Sequence, residues 1–421
     1  MKYADIVLNS WRSFDQFLAK IKNSEKEFLY FVRNLYVANI ELESRSKWID
    51  GPLHFLHICF SIFNLFLREP SLSEHHNILI LEINHNQDKY LSERTGIPLG
   101  KINWKLKRNF TIIGDLKIFY EWIKYCYQLV FKSGLQFFPC YKTFGFLLNG
   151  LIVYSKINLE GIEKIITQRD RYPEEIGILK KAKEAKITTA KFDNFLSLGS
   201  VNHNSIYCDY YLYPNQINAN HFRKYPQNET VKFIEVGFPF WDDMAKYHWN
   251  PKKDVKIITF FSQYGFDLGI FGEKGPLYYI EELISVMDDS FILFIKKHPL
   301  EKESSFKNLI SERIKILKPG EFENGELFSM STFVFSLASQ ALIESKHINP
   351  QSAYINYFPE ESLDWDYRLL NDKLDLLQSR KELEYFLYEK KDFVTSQDFI
   401  SSFNPTYPHS MEKISKVIRE I

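Results

Sequence analysis

The chain is poor in the residues that break structure. Glycine and proline number 17 and 16 in 421 residues, and no tract is of low complexity, so long disordered segments are not expected. Cysteine is scarce too. Cys59, Cys126, Cys140 and Cys208 are scattered, with no CxxC and no His or Cys at zinc-ligand spacing, which argues against a zinc module or a disulfide framework and for a reducing cytosol. Charge of neither sign is in excess: Lys plus Arg and Asp plus Glu are 53 each, which excludes a general nucleic-acid binder. Uninterrupted apolar runs of about 20 residues are missing, and the N-terminus lacks a signal-peptide apolar region, so neither a membrane span nor export is expected. There is no GxGxxG after a strand, no GxxxxGK[ST], no GxSxG and no repeat of fixed period. A DxD-like carboxylate pair at a strand end is also missing. Asp242-Asp243 follows a turn and Asp288-Asp289 a helix, so both read as capping, solvated residues, and chemistry without a metal is the expectation.

Aromatic residues, by contrast, are abundant: 37 Phe, 25 Tyr and 7 Trp. They concentrate in Pro52–Leu67, which carries His54 and His57, and in Ile118–Tyr154, which reads as helical. Lys124, Lys132 and Lys142 beside these rings suit a helix lying in a membrane interface. Hydrophobicity all round normally means burial, so a buried helical layer covering a sheet is the expected role.

A chain of this length exceeds one ordinary core, and two domains are expected, at 1–245 and 246–421, with the break in the polar stretch Trp249–Asp254. In the first half, strands are expected at His76–Asn84, Phe110–Ile113, Ile162–Thr167, Ile187–Thr189, Tyr210–Tyr213 and Lys232–Val236, with a helix from Pro173 to Ala185. In the second, strands at Val255–Phe261, Phe291–Ile295, Ile314–Leu317, Phe333–Phe335 and Ala353–Tyr357 alternate with helices at Leu277–Met287, Glu303–Arg313, Glu326–Met330 and Gln340–His347. Such alternation gives an α/β fold with parallel, doubly wound sheets, whose ligands sit at strand C-termini.

Three of those C-termini carry matching chemistry. The strand Phe291–Ile295 runs into Lys296-Lys297-His298-Pro299, Val255–Phe261 into Ser262-Gln263, and Phe333–Phe335 into Ser336-Leu337-Ala338-Ser339. Hydroxyls, an imidazole and a helix start are groups that bind a phosphate oxygen. Ser339 is also placed to cap the helix beginning at Gln340, and Glu344 one to two turns on is placed to accept from ribose hydroxyls. Each residue alone has a plainer reading, as a cap, a loop histidine or a solvated carboxylate; together they are expected to form an anion site for a phosphate.

A strand ending in Lys-Lys-His-Pro, then one ending in Ser-Leu-Ala-Ser with a glutamate in the next helix, resembles the donor domain of GT-B glycosyltransferases. The likeness is to bacterial groups using CMP-activated sugars: sialyl-, polysialyl- and Kdo transferases. Thr167-Gln168-Arg169-Asp170 and Val236-Gly237-Phe238-Pro239-Phe240-Trp241-Asp242 resemble the corresponding first-domain segments of surface-polysaccharide transferases. The resemblance spans about residues 160–360. It implies two Rossmann-like domains facing a cleft, with extra helices in the N-terminal, acceptor-binding one. It implies a nucleotide-sugar donor, CMP-linked, rather than a bound cofactor, with His298, Pro299, Ser336 and Ser339 holding its phosphate. It also implies an acceptor that is a glycan or glycolipid of capsule or lipopolysaccharide synthesis, and a cytoplasmic enzyme touching the inner membrane peripherally. CDP-glycerol polyol-phosphate transferases share the His-Pro pattern. The same residues also leave open a nucleotide-sugar epimerase and a non-catalytic scaffold of capsule assembly. Where relatives carry His-Gly, this chain reads Ser197-Leu198-Gly199-Ser200, so the general base stays open: Asp170 leads, then Glu82, His85 and His203.

Overall fold

The computed structural model describes residues 50–82, 85–107, 112–127, 141–168, 173–193, 206–252, 254–262, 275–298, 301, 306, 308–309, 311–318, 320–337, 339–358 and 373–421. Its first half runs α1 (Asp50–Leu67), β1 (Arg68–Leu72), β2 (Ile78–Leu81), α2 (His85–Thr95), β3 (Leu99–Gly100), β4 (Ile102–Leu106), α3 (Ile112–Tyr127) and α4 (Tyr141–Lys156). It continues with β5 (Lys164–Thr167), α5 (Pro173–Glu184), β6 (Thr188–Phe192), β7 (Tyr210–Tyr213), α6 (Gln216–Arg223) and β8 (Lys232–Glu235), then a 3₁₀ segment, Pro239–Lys246. The second half is β9 (Lys256–Phe261), α7 (Pro276–Val286), β10 (Phe291–Lys296), β11 (Ile314–Ile316), α8 (Asn324–Met330), β12 (Phe333–Ser336), α9 (Gln340–Lys346), β13 (Ser352–Ile355), β14 (Asp375–Leu377), α10 (Arg380–Tyr388), α11 (Ser396–Phe403) and α12 (Ser410–Glu420).

Each half builds a six-stranded parallel sheet, in the orders β3-β2-β5-β6-β7-β8 and β11-β10-β9-β12-β13-β14. Numbered within its own sheet, the second reads 3-2-1-4-5-6, so the winding reverses between β9 and β12; in the first it reverses between β2 and β5. This is the doubly wound, two-sheet α/β architecture of GT-B proteins. The central strands are apolar on both faces because helices cover both. All four residues of β12 are buried, as are all but the first of β9.

In the first sheet the period-two alternation sorts the core cleanly. Leu79, Ile165 and Tyr211 face α4, α5 and α6, while Ile80, Ile166, Phe192 and Leu212 face α2 and α12. The last helix, distant in sequence, therefore packs Ile414 and Ile418 on the first sheet. Helices α4 and α5 pass so closely that a Cβ on Gly177 would stand 2.5 Å from the Gly150 carbonyl oxygen.

Four expectations change. Of the helix expected at Glu303–Arg313, the described residues 311–313 are bridge and turn leading into β11. Of the strand expected at Phe110–Ile113, Phe110 and Thr111 lie outside the described residues, and Ile112 and Ile113 open α3, whose Asp115 is buried and bonded by Lys107 and Lys156. A two-stranded antiparallel ribbon, β1 with β4, was not expected; its polar residues hide the alternation. The aromatic layer divides. Helix α4 buries Leu147, Leu148 and Ile152 as expected, but α3 buries one face and exposes the other.

Candidate functional site

Strands β10, β9 and β12 lie side by side, with Phe261 paired to Lys296 on one flank and to Ser336 on the other. Their next residues, Lys297, Ser262 and Leu337, therefore leave the sheet at one edge, across the point where the winding reverses. The structure brings Ser262, Lys297, His298, Ser336 and Ser339 to this edge. Gln263 and Pro299 lie outside the described residues.

The loop after β10 is organised by a residue that the motif reading passed over. Glu301 accepts the Ser262 hydroxyl at 2.7 Å on one carboxylate oxygen and the His298 backbone N–H at 2.7 Å on the other. Its own N–H returns to the His298 carbonyl at 2.9 Å, and Lys297 Nζ donates to its carbonyl at 3.1 Å. The signal was a carboxylate three residues after the histidine, the spacing at which a side chain reaches back to a main-chain donor. His298 is thereby fixed through its main chain, and its imidazole is half-buried with its pKa lowered by that burial. Lys296, whose pKa burial also lowers, donates to the Phe322 carbonyl at 3.0 Å and to Asn324 Oδ1 at 2.8 Å.

The two serines differ in what they have left to give. Ser336 is fully buried: its hydroxyl donates to the Phe261 carbonyl at 2.9 Å and accepts the Ser339 N–H at 3.0 Å. It braces β12 against β9 and shapes the turn. Ser339 caps α9, its oxygen accepting the Ala341 N–H at 3.2 Å, and among the described residues its hydroxyl proton has no acceptor. With seven residues, α9 adds little dipole, so the hydroxyl is the group that matters.

Glu344 is fully engaged on another side of α9. It accepts Trp241 Nε1 at 3.1 Å and Asn324 Nδ2 at 3.3 Å, and burial pushes its carboxyl pKa up. Trp241 belongs to the segment that follows β8, where Gly237, at φ +82°, leaves room for Thr406 and Ser410. The aspartates expected to be solvated are used here as well. Asp243 accepts Tyr90 and Arg94 of α2, each at 2.9 Å, and Asp242 accepts the Met411 N–H of α12 at 2.7 Å. One short segment thus joins α2, which follows β2, to α9, which follows β12. It ties together the helices that leave the reversal point of each sheet.

On the first sheet, Asp170 and His203 lie outside the described residues, and His85 opens α2. Glu82 follows β2, with Lys101 Nζ 3.9 Å from its carboxylate. Gln168, not considered as a site residue, follows β5; it is buried, and among the described residues neither polar atom of its amide has a partner. Glu82 and Gln168 flank the reversal point of this sheet. Next to them, after β6, Asp193 is fully buried, accepts the Tyr211 hydroxyl at 2.6 Å and stands 3.7 Å from Lys191 Nζ. Among the described residues no three His, Cys, Asp or Glu side chains gather as metal ligands would.

No protein-family model and no curated protein matches the chain. Solved structures do. A UDP-GlcNAc 2-epimerase of Methanocaldococcus jannaschii, crystallised with UDP-GlcNAc and UDP, is 13% identical over 82% of this chain and 99% of its own, with a TM-score of 0.48. The wall teichoic acid polymerase TagF is 13% identical over 95% of this chain and 98% of its own, at 0.45. An α,α-trehalose 6-phosphate synthase of Burkholderia multivorans is 9% identical over 82% and 97%, at 0.47. These similarities leave the fold resting on the strand orders above and say nothing of substrate.

Proposed function

We propose that the chain is a glycosyltransferase that carries a sugar from a nucleotide donor to a glycan or glycolipid acceptor, with inversion and without a metal. The motif resemblance makes the donor a CMP-linked acidic sugar. The observation that supports the reading most is the meeting of Ser262, Lys297, His298 and Ser339 where β9, β10 and β12 end, at the reversal point of the second sheet.

In this reading the donor phosphate lies between the His298 loop and Ser339. As the glycosidic bond breaks, charge grows on the departing phosphate. The imidazole on its main-chain-anchored loop, the Ser339 hydroxyl at the helix cap and the Lys297 ammonium bonded to the Glu301 carbonyl are in place before the reaction and stabilise that charge more as it develops. Glu301 is held by two donated bonds, which keep its carboxylate turned to Ser262 and the His298 amide. Glu344 holds the 3₁₀ segment and thereby the approach of the two sheets. A carboxylate of the first sheet deprotonates the acceptor hydroxyl; Asp170 remains our first assignment and Glu82 the next, with the Gln168 amide, unpaired among the described residues, beside Glu82 to orient the hydroxyl.

The test is a donor panel in the presence of EDTA: a CMP-linked acidic sugar, CDP-glycerol and a UDP-sugar, each with a surface-glycan acceptor. Transfer from the CMP donor, unchanged by the chelator, is the expected result, because fixed cationic and hydroxyl groups do a metal's electrostatic work. Transfer from CDP-glycerol alone makes the chain a polyol-phosphate transferase. Activity lost to EDTA and restored by Mg²⁺ or Mn²⁺ overturns the mechanism.

A further inference from the structure

Helix α3 is anchored by one face and bare on the other. Asp115, Ile118, Trp122 and Tyr125 are buried, and Trp122 Nε1 donates to the Phe144 carbonyl at 2.8 Å. Opposite them, Ile112, Ile113, Leu116, Tyr120, Ile123 and Tyr127 are 47–86% exposed. At 3.6 residues per turn these six fall within about 100° of arc, a continuous apolar stripe along the whole helix. Leu106 of β4 and Phe60 and Phe63 of α1 are exposed as well. The Arg68 guanidinium sits 5.6 and 5.8 Å from the centres of those two rings. So many large exposed apolar residues exceed what a free surface ordinarily carries.

The stripe has a basic border. Helix geometry puts Lys117 and Lys124 immediately to one side of it. Beyond them a cavity of about 750 Å³ opens between α3, α4 and α5. Four lysines, Lys117, Lys156, Lys180 and Lys181, line it against three carboxylates. Those carboxylates are engaged: Asp115 by Lys107 and Lys156, Glu184 by the Tyr154 hydroxyl, and Glu121 by Lys124 at 3.9 Å. Lys117 has no partner among the described residues. No helix among those residues is long and apolar enough to cross a membrane, so this surface suits lying on a bilayer rather than spanning it.

We propose that the α1–α3 face docks on an anionic lipid bilayer. Helix α3 lies in the interface with its stripe among the acyl chains, and the lysine border and cavity receive lipid phosphate groups. An apolar face with tyrosines and a basic rim is what such an interface binds. The proposal stands on this surface alone and does not depend on the transferase reading.

The test uses the full chain and two vesicle types, phosphatidylcholine alone and equimolar phosphatidylcholine with phosphatidylglycerol, in a flotation assay. The protein is expected to float with the mixed vesicles and much less with the neutral ones. The double variant Ile113→Glu/Leu116→Glu is expected to bind at least about 30-fold more weakly, because two exposed apolar side chains become charged ones that must stay in water. The variant Lys117→Glu/Lys181→Glu is expected to lose the preference for phosphatidylglycerol. All four positions leave the folded core untouched, which circular dichroism and unchanged thermal melting would verify. Absence of binding by the unaltered chain overturns the proposal, including the case in which another part of the chain covers the stripe. So does equal binding by the Ile113/Leu116 variant. A dimer that dissociates in that variant, with no vesicle binding, assigns the face to a second copy and overturns it too. Equal binding of the unaltered chain to both vesicle types overturns the requirement for an anionic lipid and with it the role given to the lysine border.

Discussion

Replacing His298 by alanine is expected to lower kcat/KM about 30- to 1000-fold, a loss of about 2–4 kcal/mol of transition-state stabilisation. The magnitude is that of removing one preorganised donor from a site of developing negative charge. The fold is expected to survive, because what holds this loop is main chain. The His298 N–H and carbonyl bond Glu301, and the imidazole is only partly buried. Steady-state kinetics beside a thermal melt separates the two effects. Near-unaltered turnover removes His298 from the donor site. A collapsed melting transition makes it a structural residue instead.

The largest stability effect is expected at Trp241. Its ring is 2% exposed, stacked on Phe238 at 3.8 Å and near Phe403 at 6.4 Å, and its N–H serves the buried Glu344 carboxyl. Trp241→Ala removes a large buried ring and leaves Glu344 one donor short, a cost of about 3–5 kcal/mol in unfolding free energy. Trp241→Phe keeps the stacking and loses only the donated bond, so about 1–2 kcal/mol is expected. Urea unfolding of the two variants distinguishes them. Because the 3₁₀ segment joins α2 to α9, Trp241→Phe should also reduce kcat while leaving nucleotide affinity nearly unchanged. If alanine costs no more than phenylalanine, the segment is not the joint that its contacts suggest.

How far the sequence could be read follows from where each signal resides. The strands β9, β10 and β12 were legible because apolar runs covered on both faces stop abruptly in polar residues, and the edge they share follows from parallel winding alone. Tertiary partners decided the rest. Phe110–Ile113 looked like a strand because phenylalanine and β-branched residues cluster there, yet Ile112 and Ile113 lie in a helix whose Asp115 is tied to Lys107 and Lys156. Asp242 and Asp243 looked solvated, but their partners are 149 or more residues away. Glu344 sits at the right place in α9 for a ribose, while its bonds run to Trp241 and Asn324; a helix's spacing does not tell which neighbour takes each face. The aromatic content of α3 was plain, but only the folded chain separates its buried side from its bare one.

The central claim is that a donor nucleotide's phosphate lies against His298. Burial holds this imidazole below its ordinary pKa, so the empty protein carries it neutral near neutral pH. An anion beside it draws the pKa back up, so binding takes up protons and affinity must rise as pH falls from about 8 toward 6. Calorimetric titration of CMP, CDP and UDP at both pH values, on the unaltered chain and on His298→Gln, measures this directly. The expected result is binding of a cytidine nucleotide that tightens at the lower pH, and in His298→Gln a weaker binding without that dependence. No binding of any of the three nucleotides, or the same affinity and pH dependence in His298→Gln, would contradict it.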